Sequence, residues 1–305
     1  MPKSSPHVAV LVREVLQLLS PKKGQSYLDV TAGYGGHAQA ILQATGAPHQ
    51  AVLIDRDQQA ANYLKQMFVG SGAGILNSDF LSASEQLAEQ GRKFDLILAD
   101  LGASSPHFDQ SSRGFSFDKP GPLDMRMDQN QVLTAEKIVN EWDEPELAVV
   151  IARYGEEPQA AAIAKAIIGA RPLKSTEQLA ETVARLQPRG QRLHPATKTF
   201  QALRIAVNDE LSQLEGSLPH WLELLSPGGR LALISFHSLE DRLVKQFLAQ
   251  HAGDRYDAEL TLLTKKPITA KPDEIASNPR ARSARLRAAA KIKTKRKVIK
   301  KSDAH

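Results

Sequence analysis

The stretch SYLDVTAGYGGH, residues 26–37, joins a short apolar run to a glycine-rich loop. Two later apolar runs, AVLID at 51–55 and LILAD at 96–100, also end on a carboxylate. A parallel α/β sheet binds its ligands outside the carboxyl ends of its strands. We therefore predict that these three segments are strands of one sheet, and that their acidic side chains face a ligand with hydroxyl groups, amines or positive charge. This pattern is typical of an enzyme.

Length and composition limit the classes of protein to which the chain can belong. The chain has 305 residues and no cysteine. This length allows one large α/β core and a smaller second domain. The lack of cysteine excludes disulfides, thiolate metal sites and a thiol nucleophile, and it predicts a reducing, cytoplasmic location. No apolar run approaches the ~18 residues that span a bilayer, so we predict no membrane partner.

Charge is distributed unevenly along the chain. The formal net charge is +5, but residues 280–301 contain eleven Lys or Arg and no acid. The rest of the chain has 28 basic against 34 acidic residues, a net charge of about −6. A basic segment on an acidic body is typical of proteins that bind a polyanion such as nucleic acid. The alternative is a solvated tail that only aids solubility.

Strand-like and helical segments alternate through the first hundred residues, which predicts a doubly wound parallel sheet. The alternation stops at residues 101–131, a long loop rich in Gly, Pro and Ser. Helical patterns from 134 to 187 predict an inserted all-helical domain. A long helix from about 197 through 214 then returns the chain, and 219–225 continues it after a break. Three further strands are predicted near 230–235, 259–264 and 284–291.

The glycine-rich loop predicts a cofactor site. A glycine turn between strand and helix lets a ligand approach the backbone beside the positive end of the helix dipole. The spacing Gly33-x-Gly35-Gly36 differs from the GxGxxG pattern of dinucleotide-binding loops. Asp29, just upstream, would repel a pyrophosphate but would suit an ammonium group. The alternative for Gly35 is an ordinary turn.

Two further carboxylates fit an adenosine. Asp55 lies nineteen residues beyond Gly36, where an acid can accept hydrogen bonds from both ribose hydroxyls. Asp79 and Phe80 could supply an acceptor for the adenine amine and an apolar wall for its ring. Each carboxylate could instead cap a helix. Together, their order favours a cofactor that has an amine, a ribose and an adenine but no phosphate, namely S-adenosylmethionine.

The predicted fourth strand ends in DLGASSPH, residues 100–107. In a methyl-transfer fold this position faces the donor methyl group. An exocyclic base amine is a poor nucleophile because its lone pair is delocalised into the ring, and it needs acceptors for its hydrogens as it attacks. We predict that Asp100 is the catalytic acceptor and that Ser105 and Pro106 help to frame the base. The alternative is that Asp100 only holds the cofactor.

Longer motifs occur in the rest of the chain. They are RGFSF at 113–117, GPLDMRMD at 121–128, YGEE at 154–157, HPATKTFQALR at 194–204, SFHSLEDR at 235–242 and NPRARS at 278–283. With these motifs, residues 7–15 and the loops described above, the chain resembles the bacterial small-subunit ribosomal RNA (cytosine-N4)-methyltransferases, the MraW or RsmH family. Strings as long and irregular as GPLDMRMD rarely coincide by chance.

The resemblance implies a class I S-adenosylmethionine-dependent methyltransferase with a Rossmann-like doubly wound sheet. It also implies methylation of the N4 amine of a cytidine in the decoding region of 16S ribosomal RNA, within the small ribosomal subunit. The methyltransferase domain would comprise residues 1–107 and 197–291. The inserted helical domain, 108–196, would recognise RNA, and 292–305 would form a basic tail beyond the usual end of the family.

By position, the resemblance also implies a set of cofactor contacts. They are Gly35, Gly36, His37, Asp55, Phe80, Asp100 and residue 107, and the loop itself adds Gly33. We expect Gln at position 107 in the family, whereas this chain has His107. Both side chains donate and accept hydrogen bonds, so the contact can survive the difference.

Several other side chains have two interpretations. Phe115 and Phe117 could stack on an extruded cytosine or pack in the core. His237 could line the target pocket or bond to a neighbouring carbonyl group. Candidate phosphate contacts, or alternatively ion-paired surface residues, are Arg113, Arg126, Lys198, Arg204 and Arg242. The histidines lack metal-ligand spacing, so we predict no metal site.

Two other classes of function stay open. One is methyl transfer to a small molecule or a protein. The other is a non-catalytic RNA-binding or ribosome-assembly factor with a vestigial cofactor pocket. The complete set of carboxylates at 29, 55 and 100 disfavours the second, because acidic groups that face an empty cleft gain nothing.

Overall fold

A seven-stranded sheet lies in the computed structural model of the chain, which describes residues 8–186, 194–253 and 256–292. The strands are β1 (Tyr27–Asp29), β2 (Ala51–Asp55), β3 (Gly74–Asn77), β4 (Phe94–Asp100), β5 (Leu225–Ser235), β6 (Leu260–Leu262) and β7 (Arg285–Lys291). Their order across the sheet is β3-β2-β1-β4-β5-β7-β6. His7 and the predicted basic tail after Ile292 lie outside the described residues.

The described residues also form α-helices on both sides of the sheet and beyond it. They are α1 (Val12–Leu19), α2 (Gly36–Thr45), α3 (Gln58–Met67), α4 (Phe80–Glu89), α5 (Ser105–Asp109), α6 (Ala135–Glu141), α7 (Glu144–Gly155), α8 (Ala160–Gly169), α9 (Thr176–Ala184), α10 (Thr197–Asn208), α11 (Glu210–Leu224), α12 (Ser238–His251) and α13 (Pro272–Ser277). In this part of the chain, no helix is both long enough and apolar enough to cross a membrane.

The direction of the strands explains where a ligand can bind. Strands β1 to β5 are parallel, and β1 lies between β2 and β4, with Leu28 opposite Val52 and Ile97. The winding therefore reverses at β1, and the carboxyl ends of β1 and β4 open into a crevice there. The last two strands are antiparallel additions, because β7 pairs with both β5 and β6. The predicted doubly wound sheet is confirmed.

Alternation along the strands buries both faces of the sheet. Leu28, Val52 and Ile97 face one apolar cluster, which includes Trp221. Their neighbours in sequence, such as Tyr27 and Leu53, face a second cluster with α1 and α2. Fully burying one large apolar side chain is worth about 1.5–3 kcal/mol, so both clusters fix the register of the sheet.

A third apolar cluster lies in the helical part of the chain. It contains buried residues of α6 to α9, together with Leu123 and Met125 from the preceding loop. Phe200 and Leu203 of α10 are also part of it. The predicted domain boundary after residue 196 assigns α10 to the methyltransferase domain, whereas the apolar face of α10 packs with the inserted helices. Helical spacing identifies an apolar face but does not say which cluster that face joins.

One predicted helix boundary is wrong. The predicted helix through 214 breaks at Asp209, which adopts a left-handed conformation with φ 49°. The next helix continues through Pro219, where a break was expected. Asn208 holds the chain at the break, because its amide donates to the Met125 carbonyl and accepts from the Met127 N–H, each at 2.8 Å. These long-range hydrogen bonds fix the break at Asp209.

The loop after β4 is tied to the sheet by a buried charge cluster. Arg113 Nη1 donates to Asp57 Oδ2 at 2.8 Å, and His107 Nε2 lies 2.6 Å from the same oxygen. Arg113 Nη2 donates to the carbonyl groups of Arg126 and Met127, each at 3.0 Å. We call these residues the Asp57–His107–Arg113 cluster. It joins the end of β2 to the loop after β4 and to the segment that leads into the helices.

Replacing Arg113 by Met should lower the free energy of unfolding by about 3–5 kcal/mol, because it leaves the buried Asp57 carboxylate without its guanidinium partner. Urea unfolding monitored by circular dichroism measures this change. As a control, Arg185→Met breaks the exposed ion pair with Glu181 and should cost about 0.5 kcal/mol or less. Equal losses in the two variants would contradict the prediction.

Candidate active site

A cleft opens at the carboxyl ends of β1, β2 and β4. Of the predicted site residues, its walls include Gly33, Gly36, His37, Asp55, Phe80, Asp100 and His107. Gly35 is not part of the lining: a Cβ there would lie 2.8 Å from Met67 Sδ, and its φ is +78°. Gly35 therefore serves the turn and its packing on α3, which was the alternative interpretation.

Asp55 fixes the glycine-rich loop. One carboxylate oxygen accepts from the Gly33 N–H and the other from the Asp57 N–H, each at 2.8 Å. Burial raises the pKa of Asp55, and these hydrogen bonds oppose the rise. Each oxygen has a second lone pair, so the carboxylate can still accept a hydrogen bond from a ribose hydroxyl.

Asp29 supports the cleft from below. Its side chain is buried, with one oxygen 2.6 Å from the Tyr27 hydroxyl and the other 3.2 Å from the Thr31 N–H. It is not among the residues that line the cleft. Burial raises the pKa of Asp29 to about 7. Asp29 therefore has a structural role in the turn after β1, rather than the predicted contact with an ammonium group.

Asp79 also has the local role that we gave as its alternative. Its carboxylate accepts from the Ser82 N–H at 2.8 Å and caps α4. It is not part of the cleft lining, whereas its neighbour Phe80 is. The Phe80 ring packs edge-on against Trp221, with 5.7 Å between the ring centroids. This contact fixes an apolar surface at the end of β3.

Asp100 is the carboxylate most suited to a cationic ligand. Among the described residues, its Oδ1 atom is buried without a hydrogen-bond partner. Its Oδ2 atom lies 3.6 Å from His37 Nδ1. Burial, followed by the charges of Asp29 and Glu240, raises the pKa of Asp100 well above its usual range. A buried acceptor without a partner is costly, so a donor or a positive charge in the cleft would be stabilised here.

His107 has less freedom than the sequence suggested. Its Nε2 atom lies 2.6 Å from Asp57, and its Nδ1 atom lies 3.2 Å from the Ser104 N–H. Its ring also stacks on Phe115, with 4.8 Å between centroids. A hydrogen bond from a ring nitrogen to a ligand would have to displace one of these partners. The predicted contact of His107 with the cofactor can therefore be made by the surface of its ring.

A second cavity, of about 730 Å³, adjoins the cleft. Aromatic rings line much of it, from Phe108, Phe115, Phe117, Phe200 and Phe236. Gly102, Ala103 and Phe236 line both spaces and form their common wall. Ser105 lines the aromatic cavity, whereas Pro106 lines neither space. The cavity is large enough for a planar base beside the cleft.

The five candidate phosphate contacts all have acidic partners. Arg204 Nε and Nη2 each lie 2.8 Å from an oxygen of Glu210, and Arg113 belongs to the buried cluster. The other pairs are Arg126 with Asp124, Lys198 with Glu157 and Arg242 with Glu156. The structure thus favours the ion-pair interpretation. Lys198 and Arg242 are the two whose side chains remain about half exposed.

Sequence reasoning missed two carboxylates of the cleft, Glu210 and Glu240. Glu240 had a signal, since it lies three residues after His237 in the SFHSLEDR motif. Glu210 had none, because the break at Asp209 was not predicted. Within the described chain, ligand atoms of Glu210, His237 and Glu240 lie within 4.8 Å of one another. Arg204 already pairs with both oxygens of Glu210. The three residues therefore keep little negative charge with which to bind a metal cation.

Three features define an α/β methyltransferase fold: the winding reverses at β1, a glycine turn follows this strand, and carboxylates line the cleft. Such a cleft fits a positively charged adenosine cofactor. Residues 4–292 match the model of the MraW methylase family. The chain belongs to this family, and its cofactor is S-adenosylmethionine. That the individual lining residues contact the cofactor stays a prediction.

Curated relatives cover nearly the whole chain. The "Ribosomal RNA small subunit methyltransferase H" of Synechocystis is 47% identical over 94% of this chain and 93% of its own length. The protein of the same name from Cyanothece is 49% identical over 94% and 95%. Among solved structures, TrmN from Thermus thermophilus aligns with a TM-score of 0.43 at 14% identity, over 92% of this chain and 48% of that one, which is too distant to bear on function.

Stability should depend on pH through Asp57. Burial alone would raise its pKa, but His107 and Arg113 lower it to about 2. A depressed folded-state pKa gives stability that is present above the ordinary value and is lost as pH falls through the folded one. The stability difference between the wild type and Asp57→Asn should therefore be largest near neutral pH and should shrink between about pH 4 and pH 2. Urea unfolding across this range measures it.

Asp118→Asn is the matched control for this titration, since Asp118 is exposed. Its stability should follow the wild type at every pH. A constant difference between the wild type and Asp57→Asn would contradict the assigned role of the cluster.

Proposed function

We propose that this methylase transfers the methyl group of S-adenosylmethionine to the N4 amine of a cytidine in the decoding region of 16S ribosomal RNA. One observation supports this most: the aromatic cavity shares a wall with the carboxylate-lined cleft. Enzymes that modify a base usually take it out of the stack and hold it between apolar rings. Membership of the MraW methylase family and the names of the relatives support the coarser part of this proposal, methylation of small-subunit ribosomal RNA.

Different residues of the cleft would bind different parts of the cofactor. Asp55 can accept hydrogen bonds from ribose hydroxyls, and Phe80 offers its ring surface to an adenine. Asp100, with its unpaired buried oxygen, stabilises positive charge and accepts a hydrogen of the incoming amine. Bound here, the cofactor supplies an electrophilic methyl group. Ser105 and Pro106 help to shape the loop through which the base approaches.

The aromatic cavity would hold the extruded base. Phe115 already stacks on His107, so its ring is fixed in place. Phe117 lies 4.9 Å from Phe200 and 4.4 Å from His194 between ring centroids. A base entering this cavity would meet rings that need no rearrangement. The two interpretations of Phe115 and Phe117 are therefore compatible, because the rings pack on their neighbours and still line the cavity.

The RNA backbone would approach at the mouth of this cavity. Arg280 lies over the Phe108 ring at 5.5 Å and pairs with Asp109 at 2.6 Å. Its side chain is 41% exposed, so it can also reach a phosphate. The basic segment that begins here would extend the contact along the small ribosomal subunit. A cytoplasmic location and the absence of a metal cofactor stay predictions.

The direct test combines the protein with methyl-labelled cofactor and small ribosomal subunits from a strain that lacks the corresponding modification. We expect label in one cytidine, identified as N4-methylcytidine by mass spectrometry of nuclease fragments. Label in the protein fraction, in a small molecule or in no product would overturn the proposal. The first two outcomes would indicate another methyl acceptor, and the third a non-catalytic factor.

Asp100→Asn should slow methyl transfer at saturating cofactor by about 100-fold or more, because an amide accepts hydrogen bonds from the amine less strongly than a carboxylate. Its cofactor affinity, measured by calorimetry, should weaken by about tenfold or less. Asp95→Asn is the control, since Asp95 lies at the opposite end of β4 and bonds to Ser26. An equal effect of Asp100→Asn on affinity and on turnover would assign it to cofactor binding alone.

A further inference from the structure

His237 and Glu240 form the start of α12, directly after β5. The His237 Nδ1 atom accepts from the Glu240 N–H at 3.4 Å. In return, Glu240 Oε2 accepts from the N–H groups of Phe236 and His237, at 2.8 and 3.3 Å. This reciprocal arrangement is a capping box. It uses one polar atom of each side chain and fixes the position of the other.

The two remaining atoms lie side by side. His237 Nε2 is 3.2 Å from Glu240 Oε1, and the side chains are 7% and 3% exposed. Nevertheless, Nε2 is buried without a hydrogen-bond partner among the described residues, because the geometry toward Glu240 is poor. Since Nδ1 accepts a hydrogen bond, the neutral ring has its proton on Nε2. The pair therefore presents a donor next to an acceptor.

Glu240 keeps its negative charge in this environment. Burial would raise its pKa, but the Arg204 guanidinium and the hydrogen bond from the Phe236 N–H oppose the rise and lower it. An ionised carboxylate accepts hydrogen bonds and cannot donate them. The polarity of the pair is therefore fixed, with the donor on His237 and the acceptor on Glu240.

The pair also lies at the common wall of the two cavities. His237 lines the aromatic cavity and Glu240 lines the cleft. Glu240 Oε1 is 4.0 Å from the place where Gly102 would have its Cβ, and Gly102 belongs to both linings. A base in the aromatic cavity with its amine toward the cleft would bring its Watson–Crick edge to this pair.

Cytosine and uracil differ at this edge in a way that the pair can detect. Cytosine has an amine donor at N4 beside an acceptor at N3, whereas uracil has an acceptor at O4 beside a donor at N3. We propose that His237 Nε2–H donates to N3 of the target cytosine while Glu240 Oε1 accepts a hydrogen of its N4 amine, so that the two residues select cytosine over uracil. This inference rests on the proposed function of the same site.

Two substitutions separate recognition from folding. His237→Asn keeps a good helix N-cap but is too short to reach the base, and Glu240→Gln keeps the capping box but offers an amide donor or a weaker acceptor. Each should lower kcat/KM on small ribosomal subunits by about 10- to 100-fold, the value of one base contact. Cofactor affinity by calorimetry should change by about threefold or less.

A second His–Glu pair, between the last residue of α12 and the residue before β6, gives the matched control. His251 Nδ1 and Glu259 Oε1 are also 3.2 Å apart, but both side chains are partly exposed and lie away from the cavities. His251→Asn and Glu259→Gln should therefore leave both kcat/KM and cofactor affinity unchanged.

The decisive measurement removes the partner atom from the base. Small subunits are reconstituted with 3-deazacytidine at the modified position, which replaces N3 by C–H and keeps the N4 amine. The kcat/KM of the wild type should be about 10- to 100-fold lower on this substrate than on the natural one. The kcat/KM of His237→Asn should be nearly the same on both substrates, because this variant has already lost the contact with N3. The kcat/KM of Asp100→Asn should fall on this substrate by the same factor as that of the wild type.

The outcomes test this inference separately from the proposed function on which it rests. If the wild type methylates the cytidine but 3-deazacytidine costs the wild type and His237→Asn the same factor, His237 does not contact N3. If Glu240→Gln is as active as the wild type, Glu240 does not bind the amine. Either result overturns the inference and leaves the proposed function intact. A wild type that methylates no cytidine overturns both.

Discussion

The buried Asp57–His107–Arg113 cluster is the interaction on which the rest of the site depends. Asp57 follows β2, His107 belongs to the short helix α5 after β4, and Arg113 precedes the inserted helices. One carboxylate therefore joins the end of β2 to a segment that lies 50 to 56 positions later in the chain. The adjacent hydrogen bonds of Asp55 hold the glycine-rich loop against the same corner. Because both partners of the ion pair are buried, loss of Asp57 or Arg113 would leave an uncompensated charge in the protein interior. The cleft and the aromatic cavity lie on either side of a loop that is held by this cluster.

The carboxylates around the cleft fall into two groups with opposite electrostatic properties. Burial raises the pKa of Asp29, Asp55 and Asp100, so these groups hold a proton more readily and favour a positively charged neighbour. The pKa values of Asp57 and Glu240 are lowered although both are buried, because the guanidinium groups of Arg113 and Arg204, with further hydrogen bonds, outweigh burial. In the first group, Asp55 and Asp100 line the cleft and Asp29 lies next to it, in the turn after β1. The second keeps fixed negative charges that position loops and the edge of the aromatic cavity.

Much of this architecture follows from local sequence, and the rest from contacts that local sequence does not contain. The parallel strands were predictable because apolar runs such as 51–55 and 96–100 end on carboxylates, which places Asp55 and Asp100 at one sheet edge. The break at Asp209 was not, because Asn208 is held there by hydrogen bonds to residues about eighty positions earlier. For the same reason, the ion pair of Arg204 and the tertiary approach of Glu210 could not be inferred from spacing. His107 shows the limit of positional likeness: its place in the cleft was expected, but its partners Asp57 and Phe115 were not.

The place of β7 in the sheet has a consequence for biosynthesis. This strand comes last among the described strands, yet it lies between β5 and β6 and supplies hydrogen bonds to both. Arg287 of β7 also pairs with Asp241 of α12 at 2.7 Å. Until residues 285–291 leave the ribosome, one edge of β5 has no strand partner, and β6 has no sheet to join. A nascent chain of this protein therefore exposes an unpaired strand edge until β7 emerges, after the other described strands and helices.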